Sequence, residues 1–417
     1  MQSVENKKTI VILGGGFGGL NTAVLLARKL RGANARIILI DRNNYHQYNP
    51  GLYEAATAEE EFTSIADLKR SIALPFKEIL PREVEFIQGE LRSIDQSQKI
   101  VELSGSEKIN FDFLVVALGS VVDCFGNQGL EHYCLHLKSL KDALYLRNQF
   151  EALVQQHRQD PNKKMIRFII GGGGFSGVEL AGELHNLAKI MSWKYNYPLE
   201  KIEILIVEGA NQLLPGLPED LSAKIYDRLK MLGLEIRLNN LITEVSAGQI
   251  KVSTGEMLNY DLLVWTGGVR SVKLPFVQPV RVDAKDRLIV DEHLAVSGAP
   301  NIFALGDNAL IIGVDKKPLP ATATQAIYQS EYLGGVISNK IAGRASAPFK
   351  PQNFSYIIPV SGKWAVLNVE SMHHSFYGFF GWLARRVADF RYFKRLMPFG
   401  AAFRLAWFDA KLYSRND

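Results

Sequence analysis

Apolar residues along this chain fall into two rhythms: short unbroken runs that read as buried strands, and stripes at helical spacing that begin after a glycine turn. Ile10-Val-Ile-Leu13 is the first run, Gly14-Gly-Gly16-Phe-Gly-Gly19 interrupts it, Leu20 to Ala27 continue as an amphipathic helix, and Ile37-Ile-Leu-Ile40 is a second run ending at Asp41. This pattern predicts a βαβ unit about 30 residues long. Val84-Glu-Phe-Ile and Lys99-Ile-Val-Glu-Leu then alternate as strands, and Phe111 to Gly119 is a buried strand closing on glycine, where the first domain breaks. The same order returns further along. Met165 to Gly171 is an apolar run, Gly171-Gly172-Gly-Gly174-Phe-Ser-Gly177 a glycine turn, Val178 onward a helix, and Lys201 to Glu208 a strand ending on an acid. The second acid stands 31 positions beyond Gly177 (208 − 177), against 22 for Asp41 beyond Gly19 (41 − 19), so Ala188 to Leu199 is either an extended helix or an inserted loop. Asn259 to Gly268 and Asn301 to Asp307 are two more strands that run into glycine.

Near the C-terminus the rhythm is helical only. Phe376, Phe379, Phe380, Leu383, Val387 and Phe390 make one apolar stripe, with Arg385, Arg386, Asp389 and Arg391 off its centre, and a second short stripe follows Pro398. From Phe376 onward there are 13 aromatics and eight Arg or Lys but no apolar run of about 18 residues, so the segment can lie on a membrane without spanning it.

A chain of 417 residues with 47% hydrophobic content has room for two domains and an appendage. The formal net charge of +5 is mild and makes no case for nucleic acid. Cys124 and Cys134 offer neither metal-ligand nor redox-pair spacing and read as reduced structural residues. The seven residues before Lys8 leave no room for a leader ahead of the first strand, so the protein is expected to stay where it is made.

The two glycine turns carry the candidate chemistry. In the first, Gly14 makes the tight turn, Gly16 admits a pyrophosphate to the backbone, and Gly19 lets the helix close on the strand, while the helix N-terminus offers unpaired N–H groups and Asp41 a ribose contact. Gly172, Gly174, Gly177 and Glu208 repeat that set. No Arg or Lys lies in Gly209 to Pro215, and Glu208 repels a 2′-phosphate, so the second turn is expected to take NADH rather than NADPH. Asp307, following a strand and a glycine, reads as a partner for sugar-alcohol hydroxyls and as the N-cap of a following helix, and both can hold at once. His46, alone among tyrosines in Asn44-Tyr-His-Gln-Tyr-Asn-Pro50-Gly-Leu-Tyr, reads as a packed residue or as a proton-transfer group.

The order of motifs over about residues 8 to 340 is similar to that of the two-dinucleotide-binding-domain flavoproteins. The Asn44 to Tyr53 phrase, Gly174-Phe-Ser-Gly-Val-Glu-Leu-Ala-Gly-Glu-Leu and Leu262-Leu-Val-Trp-Thr-Gly-Gly-Val-Arg270 resemble the type II NADH dehydrogenases specifically. By that resemblance FAD lies on the first unit, with Gly14, Gly16, Gly19 and Gly119 in its cradle, Asp41 at its adenosine ribose, Pro50 beside the isoalloxazine, and Gly306 and Asp307 at the ribityl chain. NADH lies on the second, with Gly172, Gly174, Gly177 and Gly268, Glu208 at its ribose, and Glu179 near the nicotinamide as the catalytic residue. Glu183, one turn beyond, reads equally as a solvated acid. The family carries Ala-Gln-x-Ala-x-Gln on the helix after the Gly-Asp segment, its glutamines at the quinone site. Aligned through Ala323, Ala326 and Glu331-Tyr332-Leu333, this chain has Thr324 and Tyr328 there, giving a quinone a hydroxyl and a phenol; a one-residue slip brings Gln325 and Gln329 to the spacing but loses the other matches.

The expected fold is α/β, with two Rossmann-like dinucleotide-binding domains and a C-terminal amphipathic membrane-docking region. Residues 1–119 and 291–342 form the FAD domain, 120–290 the NADH domain and 343–417 the docking region. The expected function is a single-subunit, non-proton-pumping NADH:quinone oxidoreductase, peripheral on the cytoplasmic face of the membrane. Its partners would be a membrane quinone, anionic lipid and, as one possibility, a second copy. The alternatives are a soluble NADH-dependent reductase of another acceptor and a flavin redox sensor of negligible turnover, and for the C-terminal stripe a helix packing on a domain or partner. A disulfide reductase or sulfide–quinone oxidoreductase would need a catalytic cysteine pair that Cys124 and Cys134 do not match.

Overall fold

The computed structural model describes residues 7–58, 64–159, 165–372 and 374–413. Residues 1–6, on which the expectation about a leader rests, and 414–417, the end of the C-terminal region, lie outside them. The elements that build the site begin with β1 (Lys8–Leu13), α1 (Phe17–Lys29), β2 (Ala35–Asp41), α2 (Leu52–Thr57), α3 (Ile65–Ile72), β3 (Val84–Gln88) and β4 (Phe113–Val116). They continue with α4 (Leu140–Gln159), β5 (Ile166–Gly171), α5 (Phe175–Tyr195), β6 (Ile202–Val207), β7 (Glu235–Arg237) and β8 (Leu262–Trp265). The last are β9 (Ala295–Val296), β10 (Ala299–Ala304), α6 (Ala323–Ile341), β11 (Tyr356–Pro359), β12 (Ala365–Val369), β13 (His374–Gly378), α7 (Phe379–Leu396) and α8 (Phe399–Tyr413).

The chain divides into two compact units. The first comprises residues 1–46, 74–121 and 270–354, and the second 47–73, 122–269 and 355–417. These units divide the chain at positions other than the expected 119, 290 and 342. Residues 47–73 and 355–417 join the second unit, residues 343–354 stay with the first, and the return to the first comes near 270, because chain distance does not decide which core a segment's apolar face reaches.

In the first unit a sheet runs β9-β10-β4-β1-β2-β3, parallel except for the β9–β10 pair. Val11 and Leu13 face Ile38 and Ile40, Leu114 and Val116, and Ile302 and Ala304 in one core, which is why each strand reads as an unbroken apolar run. Helix α6 lies along α1. The second unit repeats the plan with the all-parallel sheet β7-β6-β5-β8. Helix α5 extends to Tyr195, so the longer spacing before Glu208 is an extended helix, ended by Asn196 in the left-handed conformation. An antiparallel sheet β11-β12-β13 and the helices α7 and α8 complete this unit.

The C-terminal helices have two faces. Tyr392, Phe393, Leu396, Ala402, Leu405 and Leu412 are buried in the second unit. Phe379, Phe380, Leu383, Val387, Phe399, Phe403 and Trp407 are exposed, with Phe403 stacked between Phe399 and Trp407. Phe376 belongs to β13 rather than to the helical stripe. No helix among the described residues is long and apolar enough to cross a membrane.

Candidate active site: two glycine cradles and a buried charge cluster

Both glycine turns have the same construction. Gly14 and Gly172 sit at φ +97° and +109°, where a side chain would be strained, and each lies against the segment leaving the neighbouring strand, at Ala117–Leu118 and at Thr266–Gly267 respectively. A Cβ on Gly19 would come within 1.8 Å of the Gly14 carbonyl oxygen, and one on Gly177 within 2.0 Å of that of Gly172. Gly16 and Gly174, by contrast, have open space at that position. Each is the N-cap of its helix, with no side-chain cap and no acid in the first turn, whereas α3 is closed by a Ser64–Asp67 capping box. Two helix N-termini are thus left with unpaired N–H donors and positive dipole ends, the arrangement that accepts a pyrophosphate.

The acids at the strand ends are fastened to these turns. Asp41 accepts from the Gly15 N–H at 2.7 Å and the Asn43 N–H at 2.8 Å, and burial raises its pKa in spite of those bonds. Glu208 accepts from the Gly173 N–H at 2.6 Å and the Ala210 N–H at 2.7 Å. Each carboxylate oxygen keeps a lone pair for a ribose hydroxyl. His46 is fully buried, bonds the Gly15 carbonyl through Nδ1 at 2.8 Å and packs edge-on to Phe17; burial lowers its pKa to about 4, so it is a neutral brace of the turn and the packed reading holds.

At the far end of the first unit the Asp307 carboxylate accepts from the Ser120 hydroxyl. The Gly306–Asn308 turn runs into a short strand, not a helix, and Thr322 caps α6, so the N-cap reading of Asp307 is corrected. Asn308, which the sequence reading missed, is fully buried and holds Gly119 from both sides, accepting from its N–H at 2.8 Å and donating to its carbonyl at 2.9 Å. Gln329 accepts from the Gly306 N–H at 2.6 Å, and Gln325 donates to the Gln352 carbonyl. Of the two residues the preferred alignment put there, Thr324 is exposed, and Tyr328 donates to the Lys350 carbonyl and packs on Phe349 and Phe354. The face of α6 that reaches Gly306 carries the glutamines of the slipped alignment.

In the second unit Gly268 accepts from the Asp123 N–H, and Thr266 Oγ1 donates to the Gly172 carbonyl at 2.9 Å. Glu179, on the first turns of α5, has its pKa raised to about 8 by burial, with Glu54 and Glu183 adding to the rise and Arg385 opposing it. Glu183 is buried and accepts from Asn186, which corrects its reading as a solvated acid. Arg385 and Arg386, expected among the lipid-facing charges, are instead folded inward. Arg385 donates to Asp389 at 2.9 Å and to the Pro50 carbonyl at 2.8 Å, and Arg386 pairs with Glu54 and Asp389. Cys124 and Cys134 are free and buried, and burial pushes the Cys134 thiol up to about 12, so both are inert.

Two parallel-sheet units, each with an open glycine turn and an acid on it, define a class of enzyme that handles two dinucleotides. The chain belongs to the pyridine nucleotide-disulphide oxidoreductase family, whose model matches residues 8–330. Within that class it belongs to the type II NADH:quinone oxidoreductases. It is 32% identical over 357 residues to the type II NADH:quinone oxidoreductase of Haemophilus influenzae, covering 77% of this chain and 78% of that one. To the protein of the same name from Staphylococcus aureus it is 29% identical over 355 residues, 83% of this chain and 86% of that one. The fold is that of NDH2 from Plasmodium falciparum, solved in complex with NADH, at a TM-score of 0.82 over 98% of this chain and 99% of that one with 21% identity. The chain is accordingly an NADH dehydrogenase that reduces quinone, and FAD and NADH are its cofactors.

Proposed function

We propose that this chain is a single-subunit, non-proton-pumping enzyme that holds FAD on the first cradle and NADH on the second, and serves a membrane quinone from the bilayer surface. FAD would be held by Gly14, Gly16, Gly19, Asp41, Gly119, Gly306 and Asp307, and NADH by Gly172, Gly174, Gly177, Glu208 and Gly268. The fit rests on the open space at Gly16 and Gly174 and on the two uncapped helix ends beneath them. When bound, the flavin supplies two-electron chemistry, taking hydride from the nicotinamide and returning electrons to quinone. The chain's own part is position and charge. Glu208 takes ribose hydroxyls and repels a 2′-phosphate. Glu179, protonated below about pH 8, donates a hydrogen bond at the nicotinamide where a carboxylate could only accept one. Gln329, which accepts from the Gly306 N–H, and Gln325 on the same face of α6 are the proposed polar side chains at the quinone site, with Thr324 and Tyr328 the alternative pair.

The observation that carries the membrane part is the aromatic face of α7 and α8, where Phe380 is 71% exposed and Trp407 66%, flanked by the exposed Arg391, Lys394, Arg395 and Arg404. Aromatic and basic residues together are what a surface of anionic lipid favours. Steady-state oxidation of NADH by purified holoenzyme, with quinones of short and long isoprenoid chain and with water-soluble acceptors, tests the reading. Turnover with quinone that rises on adding anionic liposomes is expected. Equal turnover with a water-soluble acceptor and no effect of liposomes would favour the soluble reductase, and turnover too slow to measure would favour a redox sensor.

A further inference from the structure

Helix α7 reaches from the exposed aromatic face into the interior of its unit, and the residues that make the crossing are charged. Arg385 is 7% exposed and Asp389 3%. The Arg385 guanidinium spends one N–H on Asp389 at 2.9 Å and another on the Pro50 carbonyl at 2.8 Å. Asp389 is shared further, accepting from Tyr48 and from Arg386, and Arg386 also pairs with Glu54 of α2. Beside this network on α2 is Tyr53, 3% exposed, whose hydroxyl has no hydrogen-bond partner among the described residues.

We propose that Arg385 is a positioning residue of the NADH-reactive end: it fixes the Pro50 turn through that carbonyl and supplies the positive charge against which the Glu54 and Glu179 carboxyls are balanced. The C-terminal segment is then part of the reactive end as well as a docking surface. This rests on the reading that Glu179 meets the nicotinamide.

The charge balance can be followed group by group. Glu179 feels the charges of Glu183 on its own helix, of Glu54 on α2 and of Arg385 on α7, and Tyr53 of α2 lies within reach of the same field, with Arg386 and Asp389 of α7 acting on Glu54 and Arg385. Asp409 of α8 is buried and acts on the same pair, Glu54 and Asp389. On α4, which packs against the same helix, Arg147 and Glu151 balance one another and Lys194 at its other end. Burial and both neighbouring glutamates favour the protonated form of Glu179, and Arg385 is the cation opposing them. Removing Arg385 must therefore push the Glu179 titration up, and removing Glu54, which also releases Arg386, must bring it down. A general loosening of the structure would instead admit water and bring both variants down towards the ordinary glutamate range.

The test is an infrared titration of the purified holoenzyme, following the protonated-carboxyl band that Glu179→Gln abolishes. The midpoint is expected at about 8 in the unaltered protein. Arg385→Gln should raise it by about 1 unit or more, the scale of one close charge. Arg385→Lys should hold it, since charge and one donor remain, and Glu54→Gln should lower it. Flavin content and near-ultraviolet circular dichroism establish that each variant is folded. A folded Arg385→Gln whose midpoint stays or falls would overturn the proposal. Should that variant not fold, a Glu54→Gln midpoint that fails to fall would do the same. The rate of flavin reduction by NADH, measured against pH in the same proteins, tests the underlying reading separately. If the infrared midpoints move as expected while the reduction rate ignores them, Arg385 balances the cluster as proposed but Glu179 does not act on the nicotinamide.

Discussion

The bonds from Gly173 and Ala210 hold the Glu208 carboxylate in place, and on the proposed assignment they would aim it at a ribose and keep it from swinging away when a 2′-phosphate approaches. Glu208→Gln keeps the acceptor oxygen and removes the repulsion, so the preference for NADH over NADPH in kcat/KM should narrow by roughly tenfold or more. Equal use of NADPH by the unaltered protein would defeat the assignment. Glu179 makes a second prediction. Its folded pKa of about 8 lies above the ordinary glutamate value, so between the two the native protein holds a proton that the unfolded chain has released. Stability from this group is therefore present at low pH and is lost as pH rises through that window, and Glu179→Gln should flatten the fall. Thermal unfolding followed from about pH 5 to about pH 9 measures it, and parallel curves for the two proteins would show that Glu179 titrates normally.

The glycine turn and its helix are the element proposed to bind each dinucleotide, and the structure separates its two kinds of glycine. A Cβ on Gly177 would strike a backbone oxygen, whereas one on Gly174 meets no protein atom and lies only where a pyrophosphate would come. Gly174→Ala should thus stay within about 1 kcal/mol of the unaltered stability, the worth of an N-cap change, while KM for NADH rises severalfold or more. Gly177→Ala should lose stability outright. Unfolding curves paired with steady-state kinetics check both, and a Gly174→Ala enzyme with unchanged KM would mean that the open turn is not the NADH cradle. The C-terminal helices raise a further point about elements. Because α7 supplies partners to Glu54, Tyr48 and the Pro50 turn, removing everything from Phe376 cannot leave the upstream site intact, as a separable anchor would. Asp389→Ala alone leaves two arginines buried without that carboxylate and should cost about 3–5 kcal/mol.

For the whole molecule the question is where it works. Replacing Phe380, Phe403 and Trp407 together with Ser removes exposed apolar surface and touches none of the buried charges. Cosedimentation with anionic liposomes should fall sharply, each buried aromatic being worth about 1.5–3 kcal/mol, while flavin content and reduction of a water-soluble acceptor by NADH stay unchanged. Salt should weaken binding of the unaltered protein without abolishing it, since the exposed Arg391, Lys394, Arg395 and Arg404 supply only the screened part. A triple variant that binds liposomes as well as the original would move the docking surface elsewhere.

Local sequence was enough for both strand–glycine-turn–helix units and for the acid at each strand end. Turn, helix and strand end there lie within a few tens of residues, and each glycine has a steric reason that its spacing already expresses. It also determined that the C-terminal helices carry an aromatic stripe, because amphipathic periodicity is local. Packing, in contrast, sets what meets across long separations. Arg386 finds Glu54 332 positions away, Asn308 holds Gly119 across 189, and neither pairing leaves a periodic trace. It decided which face of α6 reaches Gly306, since helical spacing fixes which residues share a face but not which way the face turns, and packing against α1 set that rotation towards Gln325 and Gln329. It also turned Arg385 and Arg386 from lipid charges into buried ones. A basic residue beside an apolar stripe reads the same in either setting, and only the carboxylates of a distant segment made burial the lower free energy.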